Sequence, residues 1–417
     1  MTLWLTDVKI ETGRKTDANG TMYTITELVS LEIVEGKIQS VQPAEVSLPT
    51  YGRSQSMNGL LLMPGFREMH NHLDKTYLSL DWKSIQPAAN LKERLRLESL
   101  ELAELAQSGK QRALAMIDLL ASQGATHIRT HVNIDPYIGL QNLISVREAL
   151  EESKDKLSYE IVAFPQHGML NTGVVELMHE AMREGATHIG GLDPAGIDGK
   201  IETSLRTMMQ LAERYNADVD IHLHDEGHIG AYTISKLLEI VRSQGWEGRT
   251  AVSHAFALGS IPEVQQRTLI EELVQTETAI MSTVPLTRSI PPIDLLDHSG
   301  VKVHFGCDGF YDSWSSFGTG SLLEKSTKYS LVYRQAQEDQ LARNLKFITG
   351  GVTPLSTSGE QQWPKVGDEA TFVFINATSS AEAVARTSTT EAIFYKGNQT
   401  YGEVSWNAEN SNHARTV

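Results

Sequence analysis

Short apolar runs and longer amphipathic runs alternate eight times between about residue 63 and residue 350, and this repeated order limits the possible folds more than any other feature. The apolar runs have the length of buried strands, and several follow a Gly-Ala or Asn-Ala turn. The amphipathic runs place apolar residues at helical spacing, with Glu, Lys or Arg between them. The predicted strands are residues 62–70, 126–132, 159–164, 187–192, 218–223, 250–253, 279–283 and 302–306. This alternation predicts an α/β fold with a (β/α)8 TIM-type barrel.

Both ends of the chain have a different pattern, in which apolar residues alternate with polar ones and no helical period is present. The predicted strands of these ends are residues 3–10, 28–38, 369–375 and 391–395, with a last one near Val404. We expect the two ends to join into one small β-sandwich domain. Residues 1–62 and 351–417 would then form this domain, and residues 63–350 would form the barrel.

The composition restricts the compartment and the partners of the chain. Its 417 residues are 40% hydrophobic and carry a formal charge of -16, which argues against binding of nucleic acid or of an anionic membrane. No long apolar span and no signal-peptide pattern is present, so we expect a cytoplasmic enzyme. Cys307 is the only cysteine, which excludes a thiolate-rich zinc site and the nucleobase deaminases that bind zinc through paired cysteines.

Polar side chains are concentrated where the predicted barrel strands end. These residues are His70, His72, His131, Asp135, Gln166, His167, Asp193, His222, His224, Asp225, Glu226, His254 and Asp308. The carboxyl ends of the strands of such a barrel meet at one face, where active sites form. Buried strands need apolar packing but no histidine, so histidines at several separate strand ends predict a metal centre.

The spacing of the histidines suggests which residues bind the metal. Side chains two apart in a strand share a face, so His70 and His72 would approach the same point. With His222 and the carboxylate of Asp308 they form a ligand set that suits one divalent ion, either zinc or iron. Such an ion lowers the pKa of bound water and makes hydroxide available near neutral pH. Asp308 would take the water proton, and His254 would orient or stabilise the hydroxide.

Other polar residues are expected to be structural. His127 and His188 precede their strands in the matching phrases GATHIRT and GATHIGG, which places them at the opposite end of the barrel. The long charged run of residues 91–122 is expected to be a helical segment facing solvent. His131 and Asp135 could line the mouth of the barrel.

Five segments of the sequence resemble the amidohydrolase superfamily and, within it, the cytosine deaminase branch. They are MPGFREMHNHLDK, FPQHG, DIHLHDEG, the Ser253-His254 pair and GCDGFYDSWSSFGTG, and the resemblance extends over nearly the whole chain. It implies a single metal bound by His70, His72, His222 and Asp308. Members with two metals bridge them through a lysine on strand four, whereas strand four here, THIGGLDPAG, has none.

The same resemblance implies substrate contacts. Gln166 in FPQHG matches a glutamine that recognises a ring amide, and Trp314 matches a tryptophan that packs against a flat ring. With Asp193 they would hold a heterocycle. The resemblance also allows a homo-oligomer.

One departure leaves the proton donor open. Cytosine deaminase has a proton-shuttling glutamate three residues after the strand-five histidine, where this chain has Asp225. The His-x-His-Asp order, Lys75 and GGLDPA instead resemble an isopropylammelide hydrolase, which removes an alkylamine from a triazine. That relative implies catalytic or substrate-contacting roles for His224 and Lys75. Lys75 could alternatively form a salt bridge at the rim with Asp74 or Asp225.

The expected activity is deamination of a nitrogen heterocycle, a cytosine-like aminopyrimidine or an aminotriazine, by attack of a metal-bound hydroxide. Hydrolysis of a cyclic amide or imide on the same fold is the first alternative, because it uses the same metal and water. A catalytically inactive binding protein is the second, and it predicts the loss of one or more ligands. All four ligand positions are occupied by suitable residues, which argues against it.

Overall fold

The computed structural model of the protein describes residues 2–49 and 51–402, so the strand predicted near Val404 lies outside the described residues. The amino-terminal part is a series of strands, as its alternating pattern predicts. These are β1 (Thr2–Thr16), β2 (Met22–Val34), β3 (Lys37–Pro43), β4 (Arg53–Ser56) and β5 (Leu61–Pro64).

Eight parallel strands form the central barrel, and each pairs with the next along the chain. They are β6 (Phe66–Asn71), β7 (Ala125–Asn133), β8 (Ser158–Phe164), β9 (His188–Leu192), β10 (Asp218–Leu223), β11 (Thr250–His254), β12 (Ala279–Ser282) and β13 (Val303–Phe305). A parallel bridge between Asn71 and Asp308 links the first strand to the chain that follows the last one. The predicted (β/α)8 barrel is confirmed.

Helices lie between consecutive barrel strands or follow the last of them along the chain. They are α1 (Leu91–Ala106), α2 (Gly109–Ser122), α3 (Gln141–Glu152), α4 (Val174–Arg183), α5 (Ile201–Tyr215), α6 (Gly227–Gln244), α7 (Glu263–Gln275), α8 (Ile293–His298), α9 (Leu322–Val332), α10 (Glu338–Asn344) and α11 (Ser380–Arg386). A π-helical turn (Pro194–Asp198) and two 3-10 turns (Phe256–Gly259 and Leu345–Phe347) complete the set. Within the described ranges, none of the helices is long and apolar enough to cross a membrane.

The amphipathic pattern explains how the helices attach to the barrel. In α5 the buried side chains include Leu205, Met208, Met209 and Ala212, three or four residues apart, so one apolar stripe faces the strands. The run of residues 91–122 follows the same rule but forms two helices, α1 and α2, rather than one.

The remaining strands, β14 (Phe372–Ile375), β15 (Thr390–Tyr395) and β16 (Asn398–Tyr401), join the amino-terminal ones. The resulting sheet has the order β16-β15-β14-β5-β1-β2-β3, with β4 beside β1. Its core contains Leu5, Leu31, Phe372, Phe374 and Phe394, all fully buried. Both ends of the chain therefore build one β unit, as expected. The division at residues 62/63 and 350/351 stays a prediction.

The prediction of one strand at residues 62–70 was wrong in one respect. The chain passes from the outer sheet to the barrel within this segment, so that β5 ends at Pro64 and β6 begins at Phe66. A Cβ atom at Gly65 would lie 2.4 Å from Thr126 Oγ1, so the close packing at this crossing requires glycine. The break leaves β6 short and places His70 near the end of the first barrel strand.

Candidate active site

Four side chains predicted as metal ligands meet at the carboxyl end of the barrel, and we call His70, His72, His222 and Asp308 the ligand cluster. One ring nitrogen from each of His70, His72 and His222 lies within 4.8 Å of the others, as do ligand atoms of His70, His254 and Asp308. The Nε2 atoms of His72 and His222 are 3.2 Å apart. Oδ1 of Asp308 lies 3.6 Å from Nε2 of both His70 and His72.

Hydrogen bonds on the far side of the rings direct their free nitrogens into the ligand cluster. His72 Nδ1 donates to the carbonyl of His131 at 3.1 Å. His70 Nδ1 lies 2.8 Å from Ser253 Oγ, and the same hydroxyl donates to Asp220 at 2.7 Å, so the imidazole must be the donor to serine. Nε2 of His70 therefore carries a lone pair, and it is buried with no hydrogen-bond partner in the described part of the chain.

Burial keeps three imidazoles of this region neutral, because the interior disfavours the charged form. It lowers the pKa of His72, His222 and His254 well below the ordinary value. Neutral imidazole nitrogens beside one carboxylate are the donor set that zinc and ferrous iron prefer. The ligand cluster can therefore hold a divalent metal ion.

The hydrogen bond between His70 and Ser253 leads to a prediction about metal affinity. Ser253→Ala removes the acceptor that fixes the His70 tautomer, so the affinity for zinc is expected to fall about tenfold to a hundredfold. Competition with a chelator of known affinity measures this change. Ser282→Ala is the matched control, since Ser282 is equally buried on the neighbouring strand, but within residues 2–49 and 51–402 its Oγ accepts only from Val284 N. Equal zinc affinity in Ser253→Ala and wild type would contradict this role of Ser253.

Three residues of the site have left-handed backbone angles, which are unfavourable for residues other than glycine. They are Asp193 (φ 34°), His254 (φ 66°) and Asp308 (φ 66°). Each lies at the end of a barrel strand or next to it. At Asp308 the strained turn is held by its N–H, which donates to His70 O at 2.8 Å, and by Asn71 Nδ2, which donates to Asp308 O at 3.0 Å. Strain of this kind is typical of functional positions.

His224 and Asp225, the two candidate proton donors, are both attached to Asp193. His224 Nδ1 lies 2.9 Å from Asp193 Oδ2, and the backbone N–H of each candidate donates to Asp193 Oδ1, at 2.6 and 3.2 Å. Burial alone would lower the pKa of His224, but the charge and hydrogen bond of Asp193 raise it above the ordinary value. The ring of His224 lies 4.4 Å from that of His254, between centroids. Asp225 instead accepts a long 3.4 Å bond from Gly196 N.

Lys75, Gln166 and Trp314, predicted from the resemblance, are brought together by a fourth residue, Glu98. Lys75 Nζ donates to Gln166 Oε1. Gln166 Nε2 donates to Glu98 Oε2 at 2.7 Å, and Trp314 Nε1 donates to Glu98 Oε1 at 2.8 Å. Lys75 Nζ also lies 3.7 Å from Glu98 Oε1. It sits over the rings of Phe164 and Trp314, 5.3 and 5.5 Å from their centroids. We call Lys75, Glu98, Gln166 and Trp314 the Glu98 cluster.

Two expectations about this region were wrong. Among the described residues, the ion-pair partner of Lys75 is Glu98, and not Asp74 or Asp225. Asp74 Oδ2 instead accepts hydrogen bonds from Asn133 N and Asn142 Nδ2. The segment of residues 91–122 does not simply face solvent either, because Glu98 in α1 is only 1% exposed.

A sequence signal for Glu98 does exist. The buried apolar residues of α1 are Leu95, Leu102 and Leu105, and Glu98 lies three residues after the first and four before the second. A carboxylate in the apolar stripe of an amphipathic helix is unusual, because charged groups are rarely buried without a partner. Glu98 was therefore recognisable as a buried charge, although its partners were not.

The other polar residues near the barrel strands lie outside the ligand cluster and the Glu98 cluster. His131 is fully buried beside His70 and His222, with ring centroids 4.4 Å from each, so it lies beneath the mouth of the barrel rather than at its surface. Asp135 Oδ2 is 3.9 Å from His167 Nε2. His127 and His188 lie 3.6 and 4.0 Å from Glu160 at the amino ends of the strands, which confirms their predicted place.

Comparisons with known proteins agree with this architecture. The sequence matches the profile of the Amidohydrolase family over residues 56–189 and 140–401. It is 40% identical over 408 residues to the uncharacterized protein YahJ of Escherichia coli K12, covering 96% of this chain and 88% of that protein. The solved structure of N-isopropylammelide isopropylaminohydrolase from Burkholderia multivorans is 26% identical, with a TM-score of 0.85 and coverage of 97% and 100%. That of 5-methylcytosine deaminase from Klebsiella pneumoniae, liganded with 5-fluorocytosine, is 23% identical, with a TM-score of 0.77 and coverage of 96% and 97%.

Proposed function

We propose that this chain, which belongs to the Amidohydrolase family, removes ammonia or an alkylamine from a nitrogen heterocycle. Membership of the family makes the chain a hydrolase of C–N bonds, and its resemblance to cytosine deaminase-like enzymes is confirmed. The substrate class is our inference. We expect an aminotriazine or aminopyrimidine, because the resemblance to the isopropylammelide hydrolase extends through strand five and Lys75.

One observation carries this proposal, namely that Lys75, Gln166 and Trp314 converge in a single hydrogen-bonded group. An indole and the ring of Phe164 provide flat apolar surfaces for a heterocycle. The amide of Gln166 and the ammonium of Lys75 provide polar contacts to ring oxygens and nitrogens. A wall with two flat ring surfaces and two polar side chains suits a planar ring better than a flexible chain.

The ligand cluster would hold one divalent ion, zinc or iron, which acts as a Lewis acid and makes hydroxide available near neutral pH. Asp308 accepts a proton from the attacking water, and His254, whose Nε2 is 3.9 Å from Asp308 Oδ2, stabilises the charge that develops on the new oxygen. His224 donates a proton to the leaving nitrogen. The new bond joins the water oxygen to the ring carbon, the bond from that carbon to the exocyclic nitrogen breaks, and the ring keeps an oxo group.

His224 is our choice of proton donor over Asp225. Asp193 holds the imidazole of His224 by a 2.9 Å hydrogen bond and stabilises its charged form, which is the form that can give a proton. The ring also lies beside His254, next to the ligand cluster. The carboxylate of Asp225 is occupied by the backbone of Gly196.

A panel of aminated heterocycles tests the proposed function. Protein loaded separately with zinc and with iron is incubated with N-isopropylammelide, cytosine, 5-methylcytosine and guanine, and release of ammonia or isopropylamine is measured. We expect release of an amine from at least one triazine or pyrimidine, with no release from metal-free protein. A product with a new carboxylate would indicate ring opening instead and would support the cyclic amide hydrolase.

A further inference from the structure

Helix α1 carries Glu98 into the site from the connection between β6 and β7. The helix is attached to the loop that follows the first barrel strand, because Glu101 accepts hydrogen bonds from Tyr77 Oη at 2.8 Å and from Lys83 Nζ at 2.6 Å. One turn earlier on the same helix, Glu98 is buried against the barrel mouth. The position of Glu98 is therefore fixed from both sides.

Both oxygens of Glu98 accept a hydrogen bond from a residue assigned to the substrate. Oε1 accepts from the indole of Trp314 and Oε2 accepts from the amide of Gln166, at 2.8 and 2.7 Å. A buried carboxylate is costly unless it is paired and hydrogen-bonded. Burial raises the pKa of Glu98 to about 7, even though the charge of Lys75 acts in the opposite direction. A group with this cost is kept where its contacts serve a purpose, and its contacts here are substrate-binding side chains.

These contacts determine how Gln166 faces a ligand. The ammonium of Lys75 can only donate, so it must meet Oε1 of Gln166, and the carboxylate of Glu98 must then meet Nε2. Gln166 Nε2 donates to no second acceptor in the described part of the chain, so one N–H of the amide is left for a bound ring, and Lys75 keeps further N–H donors. This wall of the site therefore offers mainly donors, which match a ring edge that bears oxo groups or unprotonated nitrogens.

We propose that Glu98 is a positioning residue, which holds the amide of Gln166 and the indole of Trp314 in the orientation that ring binding requires. The inference rests on the proposed function, because that function assigns Gln166 and Trp314 to the substrate. Glu98 touches none of the reacting atoms, and it selects rings with an acceptor edge by fixing which way the amide points.

The contact with Trp314 can be tested without any substrate. In protein labelled with 15N-tryptophan, the indole resonance of Trp314 is assigned by its absence from Trp314→Phe. Glu98→Leu, which removes both acceptors, is expected to move this resonance upfield, whereas Glu104→Gln, on an exposed residue of the same helix, leaves it in place. An unchanged resonance in a folded Glu98→Leu would overturn the proposal.

Kinetics test the consequence for substrate. Glu98→Gln keeps the shape of the side chain but has only one acceptor oxygen, so either Gln166 or Trp314 loses its hydrogen-bond acceptor. KM for the panel compound that wild type turns over is therefore expected to rise at least about tenfold. In the double variant Glu98→Gln, Trp314→Phe, KM should rise by less than the product of the two single fold-changes, because both substitutions disturb the same contact. Unchanged KM, or independent effects, would overturn the proposal. If wild type turns over none of the panel, the proposed function fails, while the resonance of Glu98→Leu still decides whether Glu98 holds Trp314.

Discussion

Asp308→Asn is expected to lower kcat at least about a thousandfold while the protein stays folded. Asparagine has the shape of aspartate and tolerates the left-handed backbone angle of this position, φ 66°. It lacks the negative charge that balances a cation in the ligand cluster and the basic oxygen that accepts the water proton. A single substitution would thus remove two functions of the same carboxylate.

The measurement compares kcat, the zinc content of the purified protein and the thermal midpoint of wild type and variant. Asp81→Asn is the control, since Asp81 is an exposed carboxylate on the connection between β6 and α1. We expect Asp81→Asn to behave as wild type in all three measurements. Wild-type turnover by Asp308→Asn would show that the role given to Asp308 is wrong.

His224→Gln is expected to lower kcat by at least about a hundredfold, the usual contribution of a positioned acid. Glutamine can still donate a hydrogen bond to Asp193, so the loop that carries Asp193 should keep its structure. What it cannot do is release a proton to the leaving nitrogen. The change should appear in kcat rather than in metal content.

Asp225→Asn provides the comparison, because it alters the neighbouring residue, which also contacts Asp193 through its backbone. Its kcat is expected to stay within about tenfold of wild type, since the side chain mainly accepts a long bond from the backbone of Gly196. The reverse order, a severe loss in Asp225→Asn and a mild one in His224→Gln, would make Asp225 the proton donor.

The barrel and its ligand cluster could be predicted because both depend on local patterns. Alternating strand and helix signals give the order of the elements, and in a barrel the carboxyl ends of all strands must meet. Residues at those ends, such as His70, His222 and Asp308, are therefore brought together by topology alone. Their contacts follow from the fold without any knowledge of particular side-chain packing.

The contacts of Glu98 could not be predicted in this way. Its partners Gln166 and Trp314 lie 68 and 216 residues away along the chain, and neither is on the same element. Which way a connecting helix turns its buried charge depends on tertiary packing that no periodicity encodes. The same reason explains why the salt-bridge alternative for Lys75 named Asp74 or Asp225, whereas its partner Glu98 lies on α1.

The crossing at Gly65 shows a similar limit. The segment from residue 62 to residue 70 was predicted as one strand, because its apolar residues on either side of Gly65 suit both sheets. Only the approach of Thr126, 2.4 Å from a Cβ at Gly65, reveals where the chain changes sheets.

The most direct test of the account is the mass of the product formed in water enriched in 18O. Zinc- or iron-loaded protein acting on N-isopropylammelide or cytosine is predicted to yield free amine or ammonia, and a ring that has lost that nitrogen and gained one 18O. A product that keeps every nitrogen and has added a whole water molecule would show ring opening. That result, or the absence of turnover across the panel with either metal, would contradict the proposed release of an amine from a heterocycle.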